Sequence, residues 1–337
     1  MARTTPSASR ERGRSVLKTG TRWTVPLILG LLTALAFGAW LAFGRGGAGS
    51  SNAGDGHTAG GGHAGDAVQI PHLHGLGFSA DGRELFVPAH TGLRIYADGR
   101  WRNPDLPVND YMGYSPTDDG FYSSGHPGPG SDLVNPLGLV KSSDGGKTLT
   151  TLGFAGESDF HLMAVGYRNH AIYVFNPSPN SKLGIGLYYS VDDGKTWQQS
   201  ALKGVNTQPT QIAVHPTEAS TVALATDEGV LLSSDHGASF EQIGPAAPVT
   251  AVAWSPDGKQ FVFGATKLSA YDVESKQVKE LSTPSIEGQD AIAYIAVNPQ
   301  RRDELAFATY ARDIYLSSNA GQTWTQIAQD GAGTSAR

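Results

Sequence analysis

One short pattern, written four times, constrains this chain more than any other feature. The copies read Ser142-x-Asp144-x-Gly146-x-Thr148-Leu149, Ser190-x-Asp192-x-Gly194-x-Thr196-Trp197, Ser233-x-Asp235-x-Gly237-x-Ser239-Phe240 and Ser317-x-Asn319-x-Gly321-x-Thr323-Trp324. Successive Asp or Asn positions lie 48, 43 and 84 residues apart, the last interval being two repeats around a worn copy. A period of roughly 40 to 50 residues built from short strands predicts a β-propeller.

Each copy makes sense as a tight hairpin. The carboxylate can accept backbone N–H bonds within its own turn, and the glycine supplies the positive φ a tight turn needs. The terminal aromatic or leucine can then fold back as a plug between strands. On these residues the chain resembles the Asp-box (BNR-repeat) propellers, which include sialidases and sortilin-type receptors. The resemblance covers about 260 residues, from 67 to 328, and implies an all-β fold.

A second marker recurs independently. Turn residues close short β-rich runs at Ser79-Ala80-Asp81-Gly82, Ser115-Pro116, Arg168-Asn169, His215-Pro216, Ser255-Pro256-Asp257-Gly258 and Asn298-Pro299. These predict six blades of four antiparallel strands, starting near His72, Met112, Phe160, Pro209, Val249 and Ala291; seven blades fit the spacing less well. The two missing copies of the hairpin are expected near Asp98-Gly99-Arg100-Trp101 and Tyr271-Asp272-Val273-Glu274. In a four-strand meander, strands a to d run outward from the axis. The a–b and c–d turns then share one face, and the b–c turns and blade crossovers share the other. The repeated hairpins therefore belong to the lower face.

Outside the repeats the chain is of another kind. Residues 1–22 form a basic, cytoplasmic tail, followed by Trp23 to Phe43, 21 residues without a charge. That is enough to cross a bilayer as a helix. The flanking arginines place the N-terminus inside and the propeller outside the cytoplasm. A cleaved signal peptide, which would leave the protein secreted, is the alternative. Residues 44–66 read as a flexible Gly-rich linker carrying His57 and His63, and residues 329–337 as a disordered tail.

There is no cysteine, so disulfides and zinc–thiolate sites are excluded. Residues 1–66 hold seven of the 25 basic and three of the 31 acidic residues, which leaves the propeller with a balance of −10. An acidic domain is a poor partner for nucleic acid. A closed ring of this size needs no second copy, and a monomer is expected. Gly146-Lys147-Thr148 and Gly194-Lys195-Thr196 imitate the end of a phosphate loop but sit in hairpins rather than between a strand and a helix.

Strand polarity sorts the eight histidines of the propeller. His170 and His215 fall at a–b turns and His236 inside a repeated hairpin, all on the lower face. His72 and His74 begin the first inner strand, His90 ends strand b of blade one, His126 opens the b–c connection of blade two, and His161 starts blade three. These five are expected to converge on the upper mouth of the channel. Asp159 adjoins them, as do Asn176 and Asn180 in a long b–c loop. Together they form a candidate binding site for a small molecule, a glycan or a divalent transition metal, for which imidazole with carboxylate is a normal donor set. Tyr114 to Pro127 and Gly156 to Ala164 also resemble a bacterial exported propeller family labelled glycosyl hydrolase without an established activity. That resemblance implies the fold and export and little about substrate; its label suggests, as an alternative, glycoside hydrolysis, which needs two carboxyl groups roughly 5 to 10 Å apart. The weak candidates are Glu157, Asp159 and Asp110. Sialidase chemistry is disfavoured, since only Arg94 and Arg312 are placed near the upper half. A protein-interaction or assembly scaffold is a third possibility.

Overall fold

The computed structural model describes Met1 and residues 68–334. The expected tail, membrane-spanning segment and linker, with His57 and His63, lie outside the described residues, as do residues 335–337. Among the described residues no helix is long and apolar enough to cross a membrane.

Six antiparallel sheets follow one another along the chain. Blade one comprises Gly77–Phe78, Leu85–Ala89, Gly92–Ala97 and Arg100–Arg102; blade two Asp110–Thr117, Gly120–His126, Leu139–Ser142 and Thr150–Gly153. Blade three comprises Met163–Val165, Ile172–Asn176, Gly186–Ser190 and Gln198–Gln199; blade four Gln211–Val214, Val222–Thr226, Gly229–Ser233 and Glu241–Ile243. Blade five is Ala251–Trp254, Gln260–Gly264, Leu268–Asp272 and Gln277–Glu280. Blade six is Ile292–Val297, Leu305–Thr309, Ile314–Ser317 and Thr325–Gln329, with Ala332–Gly333 added outside. Within each blade the strands pair in sequence order, so every blade is an up-and-down meander.

Burial grades outward as a propeller demands. The second strands of blades one, four and six are buried at every residue, whereas Gln277–Glu280, the outer strand of blade five, is exposed throughout. Blades pack by setting large side chains of one against alanines of the next. Phe261, Phe263 and Tyr271 of blade five share a cluster with Ala213, Ala223 and Ala225 of blade four. Blades six and one meet in the same way, with Ala296, Ala306 and Ala308 against Leu85, Val87 and Phe78. Fully burying a phenylalanine contributes roughly 1.5 to 3 kcal/mol, so these interfaces stabilise the ring without covalent links.

The four repeated hairpins share one bonding scheme on their c–d turns. In the second, Ser190 Oγ donates to Asp192 Oδ1 at 2.8 Å and accepts from Gly194 N at 2.9 Å. Thr196 donates through its amide to Asp192 Oδ1 at 2.9 Å and through its hydroxyl to Oδ2 at 2.7 Å. Gly194 has φ of 75°, and a Cβ there would stand 3.0 Å from Leu139 of the preceding blade. Trp197 packs beside Leu139 and Phe154 of blade two.

One expectation is overturned at the C-terminus. Residues 329–334 are not a loose tail. Ala332–Gly333 pairs with the last strand of blade six, and Gln69 bridges Ala332 on its other side. Ile70 N donates to Gly331 O at 2.7 Å and Gly333 N to Val68 O at 2.8 Å. The outer edge of a blade offers unpaired backbone groups whatever the side chains, and this short Gly-Ala segment satisfies them.

Candidate functional site

The upper mouth is assembled by three consecutive blades. The chain enters blade one through His72 and His74, and His74 N donates to Pro88 O at 3.0 Å. Residues two apart in extended chain share a side, and the two rings lie stacked, 6.4 Å between centroids and 11° between planes. His90, at the turn after strand b, presents its ring edge to both, 4.7 Å from His72 and 4.4 Å from His74.

Asp110, the first residue of blade two, reaches back into this group. Its Oδ2 lies 2.6 Å from His90 Nδ1, and its Oδ1 lies 3.6 Å from His74 Nε2. His74 Nε2 and His90 Nδ1 are 3.3 Å apart. One donor atom from each of His74, His90 and Asp110 falls within 4.8 Å of the others. Asp110 Oδ1 is buried and has no hydrogen-bond partner.

A second group adjoins the first. Asp110 and His126 are directly opposed across the first two strands of blade two, which places their side chains on one face. His126 Nε2 lies 3.2 Å from Asp159 Oδ2, and His161 Nε2 lies 2.6 Å from the same oxygen. Asp159 Oδ1 is likewise buried without a partner. The other nitrogen of His126 bonds Asn135 Oδ1 at 2.6 Å. Sequence reasoning missed Asn135, because the path of the long 127–138 loop leaves no periodic trace.

The electrostatics follow from this geometry. Burial pushes the His74 imidazole down to about 4, against the opposing pull of Asp110. His72 is lowered by burial and then by the positive neighbours His90 and Arg312. His161 moves the other way, raised chiefly by its bond to Asp159. His74 and His161 both line the channel. Rings of inner-strand residues continue from them down to Pro116, Pro216, Pro256 and Pro299 at the lower end.

Three candidates do not join this cluster. Glu157 accepts from Ser181 N at 2.8 Å, and bonds from the Ser181 side chain and then its amide hold the carboxyl below the usual range. Asn180 donates to Ser158 Oγ at 2.8 Å. Asn176 is buried and donates to the carbonyls of Ser178 and Gly184 at 2.6 and 2.8 Å. These side chains brace the 176–186 loop instead of facing the mouth. A short amide or acid beside a long loop satisfies the backbone first.

The lower-face histidines also find local partners. His170 Nε2 lies 2.7 Å from Asp118 Oδ1, and His236 stacks on Tyr189 with centroids 4.4 Å apart. His170 and the acids Asp118 and Asp119 bring their donor atoms close, but Lys141 Nζ already occupies Asp119 at 2.8 Å. Around the upper rim Val108, Val134, Ile185 and Tyr310 are exposed, an apolar edge that was not visible as a pattern.

Sheet order, blade count and channel define the class: an all-β, six-bladed propeller of four-stranded antiparallel blades. No protein-family model matches the chain, and no curated protein does. Similar solved structures are β-propellers. The crystal structure of the Niastella koreensis GH74 enzyme superposes with a TM-score of 0.52 at 15% identity, over 77% of this chain and 46% of that one. An ancestral GH74 enzyme gives 0.45 at 15% identity, over 79% of this chain and 40% of that one. YCF48 bound to D1 peptide gives 0.45 at 17% identity, over 77% and 83%. The chain thus spans less than half the length of the GH74 enzymes, and at these identities the likeness is one of fold.

Proposed function

We propose that this propeller binds a divalent transition-metal ion at the upper mouth of its channel, through His74, His90 and Asp110, with His72 beside them. We propose further that residues 23–43 tether it to the cell membrane, with the mouth outside the cytoplasm. The tether is supported by the 21 uncharged residues behind a basic segment.

One observation carries the metal reading. Two ring nitrogens and a carboxylate oxygen from two blades lie within 4.8 Å of one another, and Oδ1 of that carboxylate is buried without a hydrogen bond. A buried carboxylate oxygen without a hydrogen bond is costly, and a cation held between it and the two imidazoles would satisfy it. Two imidazoles and a carboxylate suit zinc, copper or nickel better than magnesium or calcium. The depressed His74 is neutral at physiological pH and offers a lone pair without first losing a proton.

No observation favours glycoside hydrolysis. Glu157 is turned onto the 181 backbone, and Asp110 and Asp159 are each engaged by imidazole.

The test is calorimetry and metal analysis of the purified full chain with zinc, copper and nickel at micromolar concentrations. Binding that is abolished or weakened at least tenfold by Asp110→Asn is expected. Stoichiometry near zero with all three metals removes the proposal.

A further inference from the structure

The geometry points to a binding site for the carboxylate of a small organic acid on the upper face, held by Arg312 and His72 beside the mouth. This site is additional to the proposed metal site and turns on Arg312, which takes no part in it.

Arg312 is held in place without being neutralised. The turn between the second and third strands of blade six is closed by bonds from Arg312 N to Thr309 O and from Thr309 N to Asp313 O, both 2.9 Å. From this turn Arg312 donates through Nη1 to Pro71 O at 3.0 Å and through Nε to Ala311 O at 3.3 Å. Both acceptors are uncharged carbonyls, and among the described residues Nη2 has no partner. Arg83, Arg102 and Arg301 each meet a carboxylate, at 3.8, 2.6 and 2.6 Å; among the described residues Arg312 meets none. Arg94, the other arginine of the upper half, spends all three nitrogens, on Gln69 O, Thr91 O and Thr91 Oγ1. A guanidinium fixed in direction and lacking a counter-charge is suited to an anion.

A cavity of about 440 Å³ opens between this turn and the incoming chain at residues 71–73, within the range of small-ligand sites. His72 and Arg312 both line it. Among the described residues the His72 ring makes no hydrogen bond, so its N–H is a second unspent donor. The charge of Arg312 reaches that ring, which is lowered by burial and then by His90 and Arg312. Leu73 and Ala293 give the cavity an apolar wall, and the exposed Tyr310 gives it a ring for the body of a ligand to lie against.

The surroundings set the charge of the ligand. One guanidinium among uncharged walls matches one negative charge. The propeller carries a balance of −10, which repels a multiply charged anion more strongly than a singly charged one. A monocarboxylate with a small apolar body meets both conditions, and a phosphate ester does not.

Benzoate is the probe, titrated by ligand-observed NMR into the chelator-treated full chain, with benzamide as its uncharged isostere. Benzoate should bind about tenfold or more tightly than benzamide, and phenyl phosphate no more tightly than benzoate. Arg312→Met should abolish the preference for benzoate, and Tyr310→Ala should weaken both probes. Equal affinity for benzoate and benzamide in the unaltered chain, or a preference that survives Arg312→Met, overturns the site. Tighter binding of phenyl phosphate overturns the ligand class. Zinc calorimetry on the same preparations keeps the two readings apart, since Arg312→Met should bind zinc as the unaltered chain does. Zinc without benzoate removes this site alone, and benzoate without zinc removes only the metal site. Thermal melts show whether Arg312→Met is folded; if it is not, an unchanged benzoate affinity in Tyr310→Ala, a change at an exposed ring, overturns the site instead.

Discussion

The hydroxyl of Tyr122 donates to Asp193 Oδ1 at 2.5 Å, joining strand b of blade two to the c–d hairpin of blade three. The tyrosine is fully buried, and Asp193 holds a left-handed φ of 57° to meet it. The Tyr122–Asp193 bond is one of several polar contacts between these blades, beside the bonds from Phe160 N to Ser124 Oγ and from Val165 N to Ser115 Oγ.

Removing the Tyr122–Asp193 bond is expected to weaken the ring without reshaping it. Tyr122→Phe keeps the packing and deletes one charge-assisted bond, which should cost about 1 to 2 kcal/mol with Asp193 free to rehydrate. Urea denaturation reads the loss. An unchanged midpoint would show that the bond contributes nothing.

The repeated hairpins predict an acid-sensitive stability. Bonds from the Thr196 amide, its hydroxyl and Ser190 hold the Asp192 carboxyl at about 2, against an ordinary 3.8. A folded value below the unfolded one stabilises fully above the unfolded value and ceases to do so as pH falls through the folded one. Stability should therefore hold down to about pH 4 and decline toward pH 2. Asn319 fills the equivalent place, its Oδ1 accepting from Thr323 N at 2.9 Å and its amide donating to Thr323 Oγ1 at 2.8 Å. Asp192→Asn should accordingly fold and show a shallower decline. A decline as steep as that of the unaltered chain argues against the assignment.

His215 should titrate below its ordinary 6.5, because burial outweighs the bond from Nε2 to Gly258 O at 3.1 Å. Its Nδ1 accepts from Glu218 N at 2.9 Å, which fixes the Nε2–H tautomer. The unfolded chain then binds the proton more readily, so this contribution is complete above 6.5 and falls as pH drops below it. Nitrogen-edge NMR of the imidazoles checks both statements. A midpoint at or above 6.5, or the opposite tautomer, would refute them.

Deleting residues 331–337 should destabilise the ring by about 2 to 4 kcal/mol, through several lost backbone bonds. Gly333 also lies against Trp101 of blade one, where an added Cβ would stand 2.7 Å from the indole. Tryptophan emission and thermal melting follow the change together. A variant as stable as the full chain would show that closure does not depend on this strand.

Much of this fold was legible because its signals are periodic. The hairpin pattern and the turn markers predicted six blades, and the inner strand of blade five, Ala251–Trp254, begins close to the expected Val249. The convergence of His72, His74, His90, His126 and His161 followed from strand polarity, which is a consequence of counting strands. Side-chain allegiance was not legible in the same way. Asn176 and Asn180 stand on the correct loop, yet serve its backbone, and Glu157 does too. An amide's choice between a neighbouring carbonyl and a distant ligand depends on loop geometry that one sequence does not encode. Ala332 and Gly333 carry no strand propensity; the waiting edge recruits them.

Only Pro71 separates the clamp at Ile70 from the first imidazole of the mouth. Perimeter and centre are therefore one lever: whatever steadies His72 and His74 must also steady the seam, and a frayed seam must blunt the mouth. Occupancy at the axis should then be readable as slower amide exchange at Gly333, on the far rim of the last blade.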